Sequence, residues 1–207
     1  PKLSAIYNSA HGADIRWDPF PGVSEYIIMR KEQGVWKQVV TVKASSLDQE
    51  GGRYKYIDGS VKSNYGKGYI YSVAIRNDRN EVVYDKAGLP LYRLKQPSIT
   101  SAYVSGNGKI VAYWTQEECH GYELQYSVDD GKTWEKMSET TKTYQTLTDV
   151  EKDRTYLFRV RCYKDNKDRG RTYSQYSGWS KVETAAELAI PKLSAIYNSA
   201  HGADIRW

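Results

Sequence analysis

The chain has 207 residues, of which 40% are hydrophobic and 27% charged, with a formal net charge of +5 at pH 7. That length allows one or two domains with packed cores, and that composition argues against a disordered chain. No run approaches the ~20 apolar residues of a membrane span. Lys and Arg are interleaved with Asp and Glu, not gathered into the stripe that nucleic acid requires.

The elements follow in chain order. Within residues 1–95, short runs of two-residue alternation recur between turn signals, and none has sustained helical spacing. They predict strands over 3–7, 13–17, 25–31, 36–42, 54–57, 69–76, 82–84 and 89–94. The turns between them are rich in Gly, Pro, Asn and Asp, as in NSAHG at 8–12, DPFPG at 18–22 and NDRN at 77–80. Tyr69, Tyr71, Val73 and Ile75 share one face of their strand.

Residues 96–188 repeat the order with little identity. Strands are predicted over 97–103, 110–114, 121–127, 144–147, 156–163 and 178–184. Trp114 takes the place of Trp17, Trp134 that of Trp36, and the inward set of the long strand is Tyr156, Phe158, Val160 and Cys162. The fold class is therefore all-β: two tandem antiparallel β-sandwiches, at 1–95 and 96–188, each hiding one face of each sheet against the other.

Three marks carry a family resemblance. Trp17 and Trp114 lie on the second strands, a Tyr opens each third strand (Tyr26, Tyr122), and the sixth strands begin Tyr69-Ile-Tyr71-Ser-Val73 and Tyr156-Leu-Phe158-Arg-Val160. Together they resemble fibronectin type III modules, closely from Leu147 to Ser180 and more loosely in the first half. The resemblance implies a tyrosine corner at Tyr69 and at Tyr156.

Two motifs invite a functional reading. Ser127–Trp134 reads S-V-D-D-G-K-T-W, similar to the Asp-box of sialidases, but a single copy between two strands is read as a hairpin turn. Tyr176–Ser180 reads Y-S-G-W-S, similar to the WSxWS box of cytokine-receptor modules, and predicts a stability ladder of Arg159, Arg161, Tyr176 and Trp179. Cys119 and Cys162 fall at the same end of the second sandwich, so both a disulfide and two separate thiols are open. No spacing of His, Cys, Asp or Glu suits a metal, no catalytic signature is present, and neither a cofactor nor an enzymatic activity is expected.

The first 17 residues, PKLSAIYNSAHGADIRW, return unchanged at 191–207. Identity over this stretch, set against divergence between the two modules, makes a pair of modules the unit of duplication. Residues 189–207 then read as the first hairpin of a further repeat, from a multivalent extracellular protein of a bacterial cell surface. Either a cut through an array or a segment with affinity of its own explains them. On the second reading the partner-binding residues are Tyr197, Asn198, His201, Asp204, Arg206 and Trp207, with Tyr7 and His11 in the first copy. Tandem Tyr-rich modules of this kind resemble the superantigen-like immunoglobulin-binding surface proteins of gut commensal bacteria. That resemblance implies a host protein partner, the heavy-chain variable domain of an antibody Fab. A glycan- or matrix-binding adhesin repeat and a structural spacer are the alternatives.

Overall fold

The structure is a computed structural model that describes residues 2–77, 79–106 and 108–185, together with the backbone of 195–199 and 202–206. The first half forms nine strands: β1 (Leu3–Ser9), β2 (Gly12–Trp17), β3 (Glu25–Glu32), β4 (Val35–Lys43), β5 (Asp48–Glu50), β6 (Arg53–Asp58), β7 (Gly68–Arg76), β8 (Val82–Tyr84) and β9 (Leu89–Tyr92). One sheet has the order β1-β2-β6-β5, and the other runs β4-β3-β7-β8 with β9 also paired to β7. The second half forms β10 (Ile99–Val104), β11 (Ile110–Trp114), β12 (Gly121–Ser127), β13 (Glu135–Lys136), β14 (Tyr144–Leu147), β15 (Thr155–Asp165), β16 (Arg171–Tyr173) and β17 (Ser180–Glu183). Its sheets are β10-β11-β14 and β13-β12-β15-β16, with β17 on β15. All these pairings are antiparallel.

Each half has its own core. In the first, Trp17 and Tyr26 are fully buried and meet edge-on at 5.4 Å, with Tyr54 completing an aromatic triad. In the second, Trp114 meets Tyr122 at 5.6 Å, and the inward set of β15 is buried as the alternation predicts. The predicted strands recur with ends shifted by a residue or two. Three short strands were not predicted: β5, which is exposed throughout, β13, which has only two residues, and β16, which has three. Burial on both faces of β3 hides its alternation. Tyr26 and Ile28 enter the main core, while Ile27 and Met29 form a smaller cluster with Ala74, Trp36 and Tyr84 on the outer face.

Tyrosine hydroxyls fix the loops to these cores. The Tyr156 hydroxyl accepts from Glu151 N at 2.9 Å, and that of Tyr69 accepts instead from the Asn64 side chain at 2.9 Å. A second such device recurs on the third strands, where the Tyr26 hydroxyl accepts from Phe20 N and that of Tyr122 from Glu117 N, both at 2.8 Å.

The two sandwiches are joined through a polar cluster that is almost fully satisfied. Arg93, 0% exposed, has five guanidinium N–H donors to place. Nε donates to Val61 O (3.1 Å), Nη1 to Asn8 Oδ1 (2.7 Å) and Gly12 O (2.8 Å), and Nη2 to Ser9 O (3.3 Å) and Lys62 O (2.9 Å). Asn8 uses all its amide capacity: Oδ1 also accepts from Leu94 N, and Nδ2 donates to Tyr92 O and, across the joint, to Tyr173 O, both at 2.9 Å. Gly12 is required here. At φ 141° a Cβ would lie 2.1 Å from Asp58 O, and the Arg93 clamp needs that close approach of backbone to backbone. Beside it, the buried Asp58 carboxylate takes Arg30 Nη1 at 2.6 Å, the Tyr71 hydroxyl at 2.9 Å and Ser60 N at 3.0 Å. Burial pushes the Asp58 carboxyl up, but the hydrogen bonds from Ser60 and Tyr71 and the Arg30 charge outweigh it, so it titrates below its ordinary value of 3.8.

The strands β18 (Ala195–Ser199) and β19 (Gly202–Arg206) pair in the register of β1 and β2: Tyr197 stands opposite Asp204 as Tyr7 stands opposite Asp14.

Two predictions follow from the clamp and its neighbour. R93M removes the donor shared by four backbone carbonyls and the Asn8 amide oxygen, and leaving buried acceptors short of a donor costs about 1–3 kcal/mol. Calorimetry then reads a first-module melting temperature lower by about 10 °C, with faster proteolysis between the modules. An unchanged melting temperature and cleavage rate would show the clamp to be dispensable. Asp58 has a depressed pKa, so its contribution is fully present above the ordinary carboxylate range and is lost as the pH falls through the lower folded value. D58N therefore lowers the melting temperature at pH 7 and flattens its decline below pH 4, measured by circular dichroism. A slope equal to that of the wild type would remove Asp58 from the acid transition.

Candidate binding surfaces

The positions singled out by the sequence divide by depth. Tyr7 is 51% exposed on the outer face of β1, with the Arg16 guanidinium 5.3 Å from its ring centre. His11 is exposed in the β1–β2 turn, its N–H donating to Ser9 Oγ. In the second copy, Tyr197, Asn198, Asp204 and Arg206 stand on β18 and β19, where only the backbone is described, and His201 and Trp207 lie outside the described residues. In the first copy, the residues matching Asn198, Asp204 and Trp207 are Asn8, Asp14 and Trp17, all buried. There, Asn8 and Trp17 build the joint and the core, and Asp14 carries the ion pair with Arg16 at 3.0 Å.

A surface that the sequence reading did not single out lies on the second module. Tyr103, Tyr113 and Tyr144 stand on β10, β11 and β14 of its three-stranded sheet, each more than a third exposed. Tyr103 and Tyr113 stack with their centres 6.2 Å apart, and Tyr113 and Tyr144 are 5.6 Å apart. The Lys142 ammonium lies 5.4 Å from the Tyr144 ring at one end of the row. The signal was present as alternation: Tyr103 and Tyr113 have the parity opposite to the buried Ala112 and Trp114. Strand periodicity alone does not distinguish a row of outward tyrosines from ordinary β composition.

The opposite sheet carries the predicted arginine ladder, with one correction. Arg159 lies between the rings of Trp134 (4.0 Å) and Tyr176 (4.2 Å), and Arg161 between Tyr176 (4.5 Å) and Tyr173 (3.8 Å). Trp179 is not the rung expected of it. It is 61% exposed and packs on Trp134, at 5.7 Å. Trp134 reaches the ladder because the tight turn before it folds it back: Ser127 and Asp129 bind the turn backbone, and Trp134 Nε1 donates to Gly131 O at 3.0 Å. The Asp-box-like motif thus acts as a hairpin that delivers a ladder residue. Arg171 extends the stack over Tyr163 at 3.8 Å. Beneath it, Glu123 is 2% exposed on its side chain and held by Arg161 (2.8 Å), Lys136 (3.0 Å) and the Tyr176 hydroxyl. Burial raises its carboxyl, and these three partners bring it below the ordinary range.

Cys119 and Cys162 are both free thiols, the first half-buried and the second buried. The interaction between the two thiols lowers that of Cys119 and, together with burial, raises that of Cys162. The Cys162 thiol also donates to Lys95 O at 3.3 Å, in the linker between the modules. Among the described residues, no three His, Cys, Asp or Glu side chains gather as metal ligands, and no helix is long and apolar enough to cross a membrane.

Comparison with known proteins places the fold of the second half. No curated protein matches the chain. Among solved structures, the chain is similar to the FN1–FN3 domains of chicken CNTN1, at 20% identity and a TM-score of 0.41, over 89% of this chain and 67% of that one. It is also similar to a Fn3-like protein from Clostridium thermocellum, at 17% identity and a TM-score of 0.37, over 49% of this chain and 96% of that one. The family model that matches is the PBP1-like, fibronectin3-like domain, over residues 98–172, the segment in which Trp114, Tyr122 and Tyr156 anchor the core; the second module is fibronectin type III-like.

Proposed function

We propose that this chain is a non-enzymatic binding unit of a multivalent, extracellular protein of a bacterial surface, and that it captures a host protein. The observation that carries this reading is the row of Tyr103, Tyr113 and Tyr144. It is exposed, it rides on a rigid sheet, and Tyr is enriched where proteins bind because it contributes contact area at little entropic cost. The antibody heavy-chain variable domain named by the sequence resemblance is a ligand of suitable kind, being a folded domain with a broad framework face. Repetition of the unit raises avidity by about 10²–10⁴ over one site. Tyr7, with Arg16 above it, and His11 offer a second exposed area that the duplicated stretch would repeat in the next unit.

A second reading, a spacer holding another domain away from the cell wall, draws support from the joint itself. The Arg93 and Asn8 clamp stiffens the pair of modules, and stiffness serves a spacer as well as a binder.

Biolayer interferometry against a diverse panel of Fab fragments separates the two. A binder retains a subset of Fabs that share heavy-chain framework. Replacing Tyr103, Tyr113 and Tyr144 together by Ala then weakens that binding by about tenfold or more, with an unchanged melting temperature. No Fab retained, together with nothing captured from serum or mucosal secretions, favours the spacer. Fab binding that survives the triple replacement moves the contact away from this sheet.

A further inference from the structure

The second module holds both cysteines of the chain, and the fold brings them to one place. Cys162 lies on β15, fully buried, and Cys119 packs on the same core from the β11–β12 loop, half-buried. Backbone pairing sets their approach. Tyr122 stands opposite Cys162 in the β12–β15 ladder, and two residues earlier the His120 N–H donates to Tyr163 O at 2.9 Å. The chain bends at 118–120. Cys119 is thereby carried back toward the core instead of continuing along β15, and its thiol reaches that of Cys162.

The two sulfurs are not equivalent. Interaction with Cys162 is the first influence on Cys119 and, joined by the Tyr122 hydroxyl and the Gly121 N–H, it outweighs burial, so this thiol sits well below the ordinary range. The thiolate is the nucleophilic form, and half-burial leaves part of Cys119 in contact with solvent. Cys162 is the reverse case: interaction with Cys119 and then burial raise its thiol. Its S–H donates to Lys95 O at 3.3 Å. Lys95 stands in the stretch that leaves the Arg93 clamp. On one side of it Leu94 N donates to Asn8 Oδ1 at 3.2 Å, and on the other Gln96 Nε2 donates to Tyr176 O at 2.5 Å. The Cys162 proton is therefore one of the ties that hold the linker to the second module.

We propose that Cys119 and Cys162 form a reversible dithiol–disulfide site, oxidised by low-molecular-weight disulfides, whose closure withdraws the Cys162 S–H from the Lys95 carbonyl of the linker. The Cys119 thiolate attacks one sulfur of the small disulfide. That S–S bond breaks, the released half leaves as a thiolate and takes a proton from water, and a mixed disulfide remains on Cys119. Capping removes the Cys119 charge, the first cause of the raised Cys162 thiol. Cys162 then gives its proton to water and attacks the Cys119 sulfur, expelling the second half. One small disulfide is reduced to two thiols, and two protein thiols are oxidised to one disulfide. The new bond closes the loop from 119 to 162 and restrains the unfolded second module. The site is independent of the tyrosine face.

The test is equilibration of the 207-residue chain with mixtures of oxidised and reduced glutathione, quenched with iodoacetamide and read by peptide mass mapping. The expected result is glutathione on Cys119 at early times, then a disulfide between 119 and 162 within one chain, reversed by dithiothreitol. Oxidation raises the melting temperature of the second module by about 10 °C and shifts the Lys95 carbonyl resonance of the isotope-labelled chain. C162S stops at the mixed disulfide, and C119S takes up glutathione about tenfold more slowly than the wild type. Early-time mapping of the wild-type chain identifies the first sulfur to react even if a variant fails to fold. The proposal is overturned if both thiols remain open to alkylation at every glutathione ratio, if the disulfide joins two chains, if glutathione enters first at Cys162, or if the Lys95 carbonyl does not move.

Discussion

A fully buried arginine held by neutral oxygens is the constraint on which the joint depends. Removing a guanidinium from water costs several kcal/mol, and burial alone pulls Arg93 below its ordinary basicity. Four main-chain carbonyls and the Asn8 amide oxygen meet its five donors, so the charge is balanced by oriented dipoles. This arrangement permits one geometry only. The carbonyls come from the β1–β2 hairpin (Ser9, Gly12) and from the turn after β6 (Val61, Lys62), and each must stay where the fork can reach it. Asn8 then carries that order into the second module through Tyr173 O. The first hairpin is at once part of a core, through Ala13, Ile15 and Trp17, and part of a joint.

That double role bears on the duplicated stretch. A hairpin alone is marginal in water, yet β18 and β19 pair in the register of β1 and β2, as their identical sequence leads one to expect. What the second copy repeats beyond that register is the Asn8 position, as Asn198, and the Gly12 position, as Gly202. Both are residues that a joint needs and a surface contact does not. The repeated stretch thus carries the residues that make the joint in the first copy as well as the exposed Tyr7 and His11 positions. Tyr7 and His11 are the positions in it that remain exposed.

The layered fold was legible because its signal is local: alternation along β7, β12 and β15, broken by Gly- and Asn-rich turns, survives any tertiary context. The tyrosine anchor of β15 was implied by the resemblance to fibronectin type III modules, and Tyr156 holds it through Glu151 N. What was not legible depends on residues far apart in sequence. Arg93 and Asn8 are 85 residues apart, and nothing about either alone marks it as buried. Trp179 and Trp134 exchanged roles because both have parities compatible with the ladder, and only the tightness of the Ser127–Trp134 turn decides which ring reaches Arg159. The three tyrosines of the exposed sheet come from three separate strands, and their adjacency appears only once β11 is seen to lie between β10 and β14.

The second module carries aromatic rings on both of its outer faces, in two different settings. On the sheet of β12 and β15, the aromatic rings are consumed: arginines fill the spaces between them, Glu123 neutralises the arginines from beneath, and each cation–π contact is worth about 0.5–2 kcal/mol. A face so engaged has little left to offer a partner, and only the outermost ring, Trp179, remains open to solvent. On the sheet of β10, β11 and β14, among the described residues, the rings meet one another and Lys142, with no ion pair recorded beneath them. The same residue type, on two sheets of one sandwich, is structural where charges interleave it and available where they do not. Interleaving, more than tyrosine content, is therefore what separates a bracing face from an open one in this fold.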